Sequence, residues 1–411
     1  MIGTHSAAMA AAEAVADALS DPGNAWTTAQ PTGGRAWPQS LAGGAAGVAL
    51  LHIERARSGL GDWRTAHAWL SVAASGELTT ASNAGLFFGA PALAFVTHTA
   101  AGSSGRYRRA LTSLDDAVIT ITRTRLAAAH ARIDRGDQPV MKEFDLIRGL
   151  AGLGAYHLRR HPDHPITCGV LSYLVRLTEP LPSGTGLPPW WTDVAPNGEL
   201  TPEYPQGHGN LGLSHGIGSV LALLSLAVLR NVPVTGMTDA IERTCEWTDL
   251  WRQQDDAGPW WPGFITMDQV REQRIRPSLR PRPSWCYGVA GMARAQQLAG
   301  MALGDTARQQ IAEEAMLAAL RDPMQLGLLP EIGLCHGKAG LLQAAWRMAS
   351  DARTPHITAE LPRLATWLAK QLAFPLPDPE LLDGAAGAAL VLHSVGANAA
   401  ASDWDAFLLL A

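Results

Sequence analysis

Residues 285–291 read WCYGVAG, and residues 334–340 read LCHGKAG. Both runs obey one pattern: an apolar residue, two variable positions, Gly, two more positions, Gly. The pattern continues in both directions along the chain. It occurs as LSHGIGS from Leu213, LIRGLAG from Leu146, LFFGAPA from Leu86, LAGGAAG from Leu41 and LLDGAAG from Leu381. The key glycines are Gly44, Gly89, Gly149, Gly216, Gly288, Gly337 and Gly384, separated by 45, 60, 67, 72, 49 and 47 residues. Each interval has room for two helices and their connections, and a repeat of this period is the mark of an array of like units.

Each glycine cluster precedes an apolar stretch, such as Val48 to Ile53 or Val220 to Leu229. Glycine permits positive φ and close backbone approach, which suits a tight turn entering a tightly packed helix. Between the clusters lie amphipathic stretches with apolar residues at helical spacing, such as Ile311 to Leu320 and Ile357 to Leu372. Nowhere do Val, Ile and Thr alternate long enough to predict a sheet. The fold class read from this is all-α, each repeat an outer amphipathic helix, a loop, a Gly-rich turn and an apolar inner helix. Seven such hairpins bury their inner faces by closing into a ring, and an open helical solenoid is the alternative. In the closed form the turns gather at one mouth, where loops on a rigid scaffold carry whatever chemistry exists.

Composition narrows the function classes. The chain has 411 residues, 47% hydrophobic and 17% charged, with a net charge of −5. That provides no basic field for nucleic acid. Met1 to Pro22 carries Glu13, Asp17 and Asp21 and lacks the pattern of a signal peptide. The longest apolar run, Val220 to Leu229, is too short to span a bilayer. The expectation is a cytoplasmic protein without a membrane span. Three stretches, Pro22 to Gly47, Pro180 to Gly212 and Gly258 to Pro283, are too long for simple connections. Their tryptophans Trp26, Trp190, Trp191, Trp260 and Trp261 call for burial, so residues 1–411 are read as a single domain with long loops at about 180–212 and 258–284.

Comparing one column across the repeats locates the chemistry. The residue before the key glycine is Gly43, Phe88, Arg148, His215, Tyr287, His336 or Asp383; the one before that is Ala42, Phe87, Ile147, Ser214, Cys286, Cys335 or Leu382. Two of the four cysteines fall in the second set. Cys286, Cys335 and His336, if their turns converge, offer two thiolates and an imidazole, a ligand set preferred by zinc, with the fourth position open as in catalytic sites. His215 could be a fourth ligand or a nearby acid/base, since imidazole titrates near neutrality. Asp145, four residues before Gly149, could orient His215 or simply cap a helix. Arg282 could hold a developing anion. The other arginines of that loop, at 271, 274, 276 and 280, read as solvated charges, with contact to a peptide substrate as the alternative. His208 reads as structural, with lining the site as the alternative, and Cys168 and Cys245 read as small buried hydrophobes.

The turns LSHGIG, SWCYGVAG and LCHGKAG, with FDLIRGLAG upstream, resemble the signatures of LanC-type lanthipeptide cyclases and their LanC-like relatives. The resemblance covers nearly the whole chain, and the length is similar to that of a free-standing cyclase. It implies an α/α toroid, a double barrel of seven inner and seven outer helices, with one zinc ion per chain at the mouth. It carries the zinc ligands onto Cys286, Cys335 and His336, the acid/base onto His215, the essential aspartate onto Asp145 and the active-site arginine onto Arg282. Tyr287 follows the cysteine as in relatives, and Trp261-Pro262 is also similar to a family feature. Ala92 and Ser219 depart from the final glycine of the pattern.

The reaction implied is addition of a peptide cysteine thiolate to dehydroalanine or dehydrobutyrine, forming lanthionine or methyllanthionine. The substrate is a dehydrated precursor peptide with its leader, and the implied partners are a separate dehydratase and a transporter. Two alternatives share the residues: addition of glutathione or another free thiol, and a zinc-stabilised peptide-binding scaffold without turnover. A glycosidase of α/α-barrel type needs paired carboxylates, and only Asp383 occupies the column.

Overall fold

A computed structural model describes residues 2–23, 38–181, 186–372 and 378–411. Trp26 and most of the first long loop lie outside the described residues. The long helices come in pairs: α1 Ile2–Ala18 and α2 Ala45–Arg57, α3 Trp63–Ala73 and α4 Ala90–Ala101, α5 Arg108–Asp134 and α6 Leu150–Arg160, α7 Pro165–Leu177 and α8 Ile217–Leu229. The series continues with α9 Met237–Leu250 and α10 Val289–Leu303, α11 Thr306–Arg321 and α12 Lys338–Asp351, α13 His356–Ala369 and α14 Ala385–Ala397. Every even-numbered helix starts directly after a key glycine. The seven-plus-seven reading thus holds among the described residues, with α13 ending at Ala369 rather than at Leu372.

The two series differ in what they bury. Helix α8 has the sequence IGSVLALLSLAVL and is buried from Ile217 through Ala227. A helix apolar all round is a core helix. Helix α9, MTDAIERTCEWTDL, buries only one stripe, including Ala240, Ile241, Thr244 and Cys245. Close packing depends on small residues: a Cβ on Gly154 of α6 would stand 2.7 Å from Leu223 of α8 and 2.9 Å from Val170 of α7. Leu223 is fully buried there, and that burial contributes roughly 1.5–3 kcal/mol.

Among the described helices of the two series, side-chain caps are confined to odd-numbered ones. Asp62, His164 and Asp305 cap α3, α7 and α11 by accepting the N–H groups of Arg64, Ile166 and Arg308. The even-numbered helices have no side-chain cap. Their first N–H groups go back to the turn itself, as Lys338, Ala339 and Gly340 donate to the carbonyls of Glu331, Ile332 and Gly333.

Of the two reasons expected for the key glycines, positive φ holds at one and close approach is general. Only Gly89 has positive φ, at 76°; the other six lie in extended backbone. They are required for space. A Cβ on Gly288 would meet the Arg282 carbonyl at 2.1 Å, and one on Gly384 the Asp378 carbonyl at 2.1 Å. The second glycine of the motif has a matching reason. Cβ atoms on Gly47, Gly291 and Gly387 would lie 2.3, 2.0 and 1.9 Å from the carbonyls of Leu41, Trp285 and Leu381, the first residues of their own motifs.

The chain forms two compact units, residues 1–118 with 329–406 and 411, and residues 119–328 with 407–410. Within each, successive turns share one hydrogen-bond register. In the first unit, Leu334 donates to the Leu382 carbonyl, Leu381 to that of Ala42, and Leu41 to that of Phe87. The seventh turn is therefore bonded to the first. In the second unit, Leu146 donates to the Ser214 carbonyl and Leu213 to that of Cys286. Each time the motif's first N–H meets the second carbonyl of the next motif, which aligns the columns.

The expectation of no sheet fails locally. The second unit holds four three-residue strands, β1 His208–Asn210, β2 Gln253–Asp255, β3 Gly258–Trp260 and β4 Phe264–Thr266, paired antiparallel as β1–β4 and β2–β3. They belong to the loops, where burial of Trp190, Trp191, Trp260 and Trp261 orders the backbone. Strands this short carry no alternation to read. No described helix is long and apolar enough to cross a membrane.

Candidate active site

Asp145 ends the short helix Met141–Phe144 and turns into the third motif in extended conformation. Its Oδ1 accepts the N–H groups of Arg148 and Gly149, each at 2.7 Å, and its Oδ2 lies 2.6 Å from Nδ1 of His215. One carboxylate thus bonds both the backbone of its own turn and the ring of His215. Asp145 is buried while the His215 side chain is 31% exposed. With Nδ1–H donated to the carboxylate, Nε2 is the ring atom left for other partners.

The fifth turn stands beside the fourth. The Cys286 carbonyl accepts from Leu213 at 2.9 Å and Ser214 at 3.4 Å, which ties the backbone of the cysteine to that of His215. Cys286 is buried, its Sγ 3.5 Å from the Ser284 hydroxyl. Tyr287 stacks near His215, ring centroids 6.3 Å apart and planes inclined by 25°, and packs on Phe264 at 4.8 Å. Burial pushes its phenol well above the usual range, an effect opposed by the hydrogen bond from Asn210, so it is a neutral donor or acceptor and not a base. Arg282 is half-buried at the head of this turn, where its carbonyl accepts the Ser284 N–H.

Cys335 and His336 occupy the sixth turn, in the first unit, and both are half-buried. Their backbone is held by the seventh turn, since Cys335 donates to the Leu382 carbonyl at 2.9 Å. His336 Nδ1 lies 3.7 Å from Asp383 Oδ1, a carboxylate in the equivalent column one repeat on. The second unit thus brings together Asp145, His215, Cys286 and Tyr287, and the first brings together Cys335, His336 and Asp383.

The family model that matches this chain, over residues 35–409, is that of the lanthionine synthetase C-like proteins. The chain belongs to that family. Among characterised LanC-like relatives, the nisin biosynthesis protein NisC of Lactococcus lactis subsp. lactis is 25% identical over 210 residues, 49% of this chain and 48% of that one. The alignment thus spans about half the length of the relative. The solved structure of nisin cyclase superposes with a TM-score of 0.79 over 97% of each chain at 19% identity. The shared fold confirms the expected class, the all-α toroid of paired helices.

Other residues fall where the sequence offered less guidance. His208, in β1, is buried with Nδ1 2.8 Å from the Val194 carbonyl, and burial pushes it down to about 4. It is a neutral packing residue, its ring against Tyr204 and Phe264. Cys245 is buried with its thiol pushed up to about 12 by burial, whereas Cys168 is only half-buried. Two residues were not foreseen. Asn210 sits between the fourth and fifth turns, and Arg125 of α5 donates from Nη1 to the Arg148 carbonyl behind Asp145. A polar amide in the Gly-rich run GHGNLG was a signal for Asn210; nothing in the column comparison points to an outer helix.

Proposed function

We propose that this chain is a zinc-dependent lanthipeptide cyclase that adds peptide cysteine thiols to dehydroalanine or dehydrobutyrine in a dehydrated precursor peptide. The observation that carries the reading is the Asp145–His215 pair at 2.6 Å, bonded through its backbone to the turn of Cys286. In this reading Cys286, Cys335 and His336 hold one zinc ion. The donor set fits: two sulfurs and an imidazole suit zinc, and three protein ligands leave a position for substrate. When bound there, the ion would lower the pKa of an incoming thiol so that thiolate exists at neutral pH.

The chain's own residues do the rest. The sulfur–carbon bond forms at the β-carbon of the dehydro residue, and the π pair moves to an enolate. His215, held by Asp145 in the tautomer with Nδ1–H donated, presents Nε2 to move the proton that completes the α-carbon. Tyr287, a neutral phenol, donates to developing negative charge, and Arg282 stabilises the same charge. Overall the thiol hydrogen reaches the α-carbon, so product and substrate are isomers. A cytoplasmic setting with a dehydratase upstream and a transporter downstream follows from the same reading.

The test combines metal analysis with thiol counting. Wild type should contain one zinc per chain and Cys286→Ala should lose it. With a dehydrated peptide, wild type should leave the peptide mass unchanged while abolishing its alkylation by a thiol reagent. Persistent peptide thiols, with consumption of added glutathione instead, would turn the assignment to free-thiol addition. Zinc without either reaction would leave a binding scaffold.

A further inference from the structure

Asn210 is the last residue of β1 and is almost fully buried. Its Oδ1 accepts the Gly212 N–H at 2.9 Å. That bond fixes the amide's orientation, because only the oxygen can accept. Nδ2 therefore faces the Tyr287 hydroxyl, at 3.3 Å, and the Met141 sulfur, at 3.0 Å. One side chain thus touches three segments of the site. Met141 begins the helical turn that ends at Asp145, Gly212 leads into the turn of His215, and Tyr287 follows Cys286. The fit is close, since a Cβ on Gly216 would stand 2.4 Å from the Asn210 oxygen.

The bond to Tyr287 has a direction. An amide N–H can only donate, so the phenol oxygen is the acceptor and its own hydrogen points away from Asn210. We infer that Asn210 is a positioning residue: it locks the turn of His215 to the hydroxyl of Tyr287 and makes that hydroxyl a donor toward what lies beyond the amide. This rests on the proposed reaction, in which the acceptor beyond it is the enolate oxygen.

Asn210→Asp isolates this role. The carboxylate keeps the size of the amide and still accepts from Gly212, but toward Tyr287 it can only accept, which draws the phenol hydrogen inward. Asn210→Asp, Tyr287→Phe and the double variant are compared with wild type for zinc content and for cyclisation of a dehydrated peptide. Asn210→Asp should keep its zinc and its KM within about 2-fold while kcat falls about 10-fold or more. In the Tyr287→Phe background the same substitution should cost almost nothing, because coupled residues are not additive. Equal losses in both backgrounds, or a loss confined to KM, would overturn the inference. If Asn210→Asp does not fold by circular dichroism, Asn210→Ser enters the same cycle with the same two outcomes. A wild type that leaves peptide thiols untouched refutes the reaction itself, and the inference with it; an active wild type with an additive cycle refutes Asn210 alone.

Discussion

The fourth and the seventh turns, LSHGIGS and LLDGAAG, are the same object made twice. Leu213 donates to the Cys286 carbonyl at 2.9 Å, and Leu381 donates to the Ala42 carbonyl at 3.1 Å. Gly216 and Gly384 have φ of −122° and −116°. In both, glycine is present because a Cβ would strike the turn's own backbone. Yet the fourth turn presents His215, backed by a buried aspartate, the seventh presents Asp383, 3.7 Å from His336, and the first, to which the seventh is bonded, presents only Gly43. The comparison teaches that the backbone register defines a column of positions, and that side-chain type alone decides which positions carry chemistry.

Substituting within the column should break the symmetry most. His215→Ala is expected to lower turnover by about 10²–10⁴-fold, the usual weight of a positioned acid/base, with zinc retained. Gly43→Ala occupies the same column, and its Cβ would press only on the flexible Glu380 side chain. Turnover of that variant should stay within about 2-fold of wild type. Steady-state cyclisation assays check both, and a large effect at Gly43 would deny that the first turn is chemically silent.

Stability should instead treat the turns alike. Gly288→Ala in the fifth turn and Gly384→Ala in the seventh would each place a Cβ 2.1 Å from a carbonyl oxygen. Each should cost about 1–3 kcal/mol or more, as overpacking does, measured by denaturant unfolding. A tolerated Gly384→Ala beside a damaging Gly288→Ala would show that the glycines are kept for the site and not for the fold.

The smallest effect separates His215 from His208, seven residues before it. Burial pushes His208, like His52 and His393, from 6.5 down to about 4. Such a group is neutral in the folded chain at pH values where the unfolded chain is already protonated. Folding stability should therefore be full above about pH 6.5 and fall progressively toward pH 4. Thermal melts between pH 7 and 5 should show the decline, and His208→Gln should make it shallower. An unchanged slope would mean that His208 is charged in the fold.

Much of this was legible in the residues. A repeated pattern of apolar residue and glycine predicts hairpins because each glycine stands where a Cβ cannot fit, and that constraint must recur with the repeat. The two adjacent columns, one with His215 and His336 and the other with Cys286 and Cys335, were legible for the same reason. The β strands were not, since three residues cannot show a period, and they are ordered by the burial of tryptophans distant in sequence. Asp145 illustrates the division within one residue. Its position ahead of the third turn fits a cap, and the cap bonds reach only to residues 148 and 149. Its bond to His215 spans 70 residues, and no local spacing predicts it.

The sequence by itself determined the class of fold, the number of repeats and the positions in register, because these follow from periodicity and from the space a glycine leaves. Tertiary structure alone decided that His215 is backed by Asp145 while His208 is buried and neutral, that Tyr287 is held by Asn210, and that Arg125 reaches the third turn from an outer helix. Those are contacts between segments brought together by packing, and hydrogen bonds of that kind depend on distance and direction in space rather than on separation along the chain.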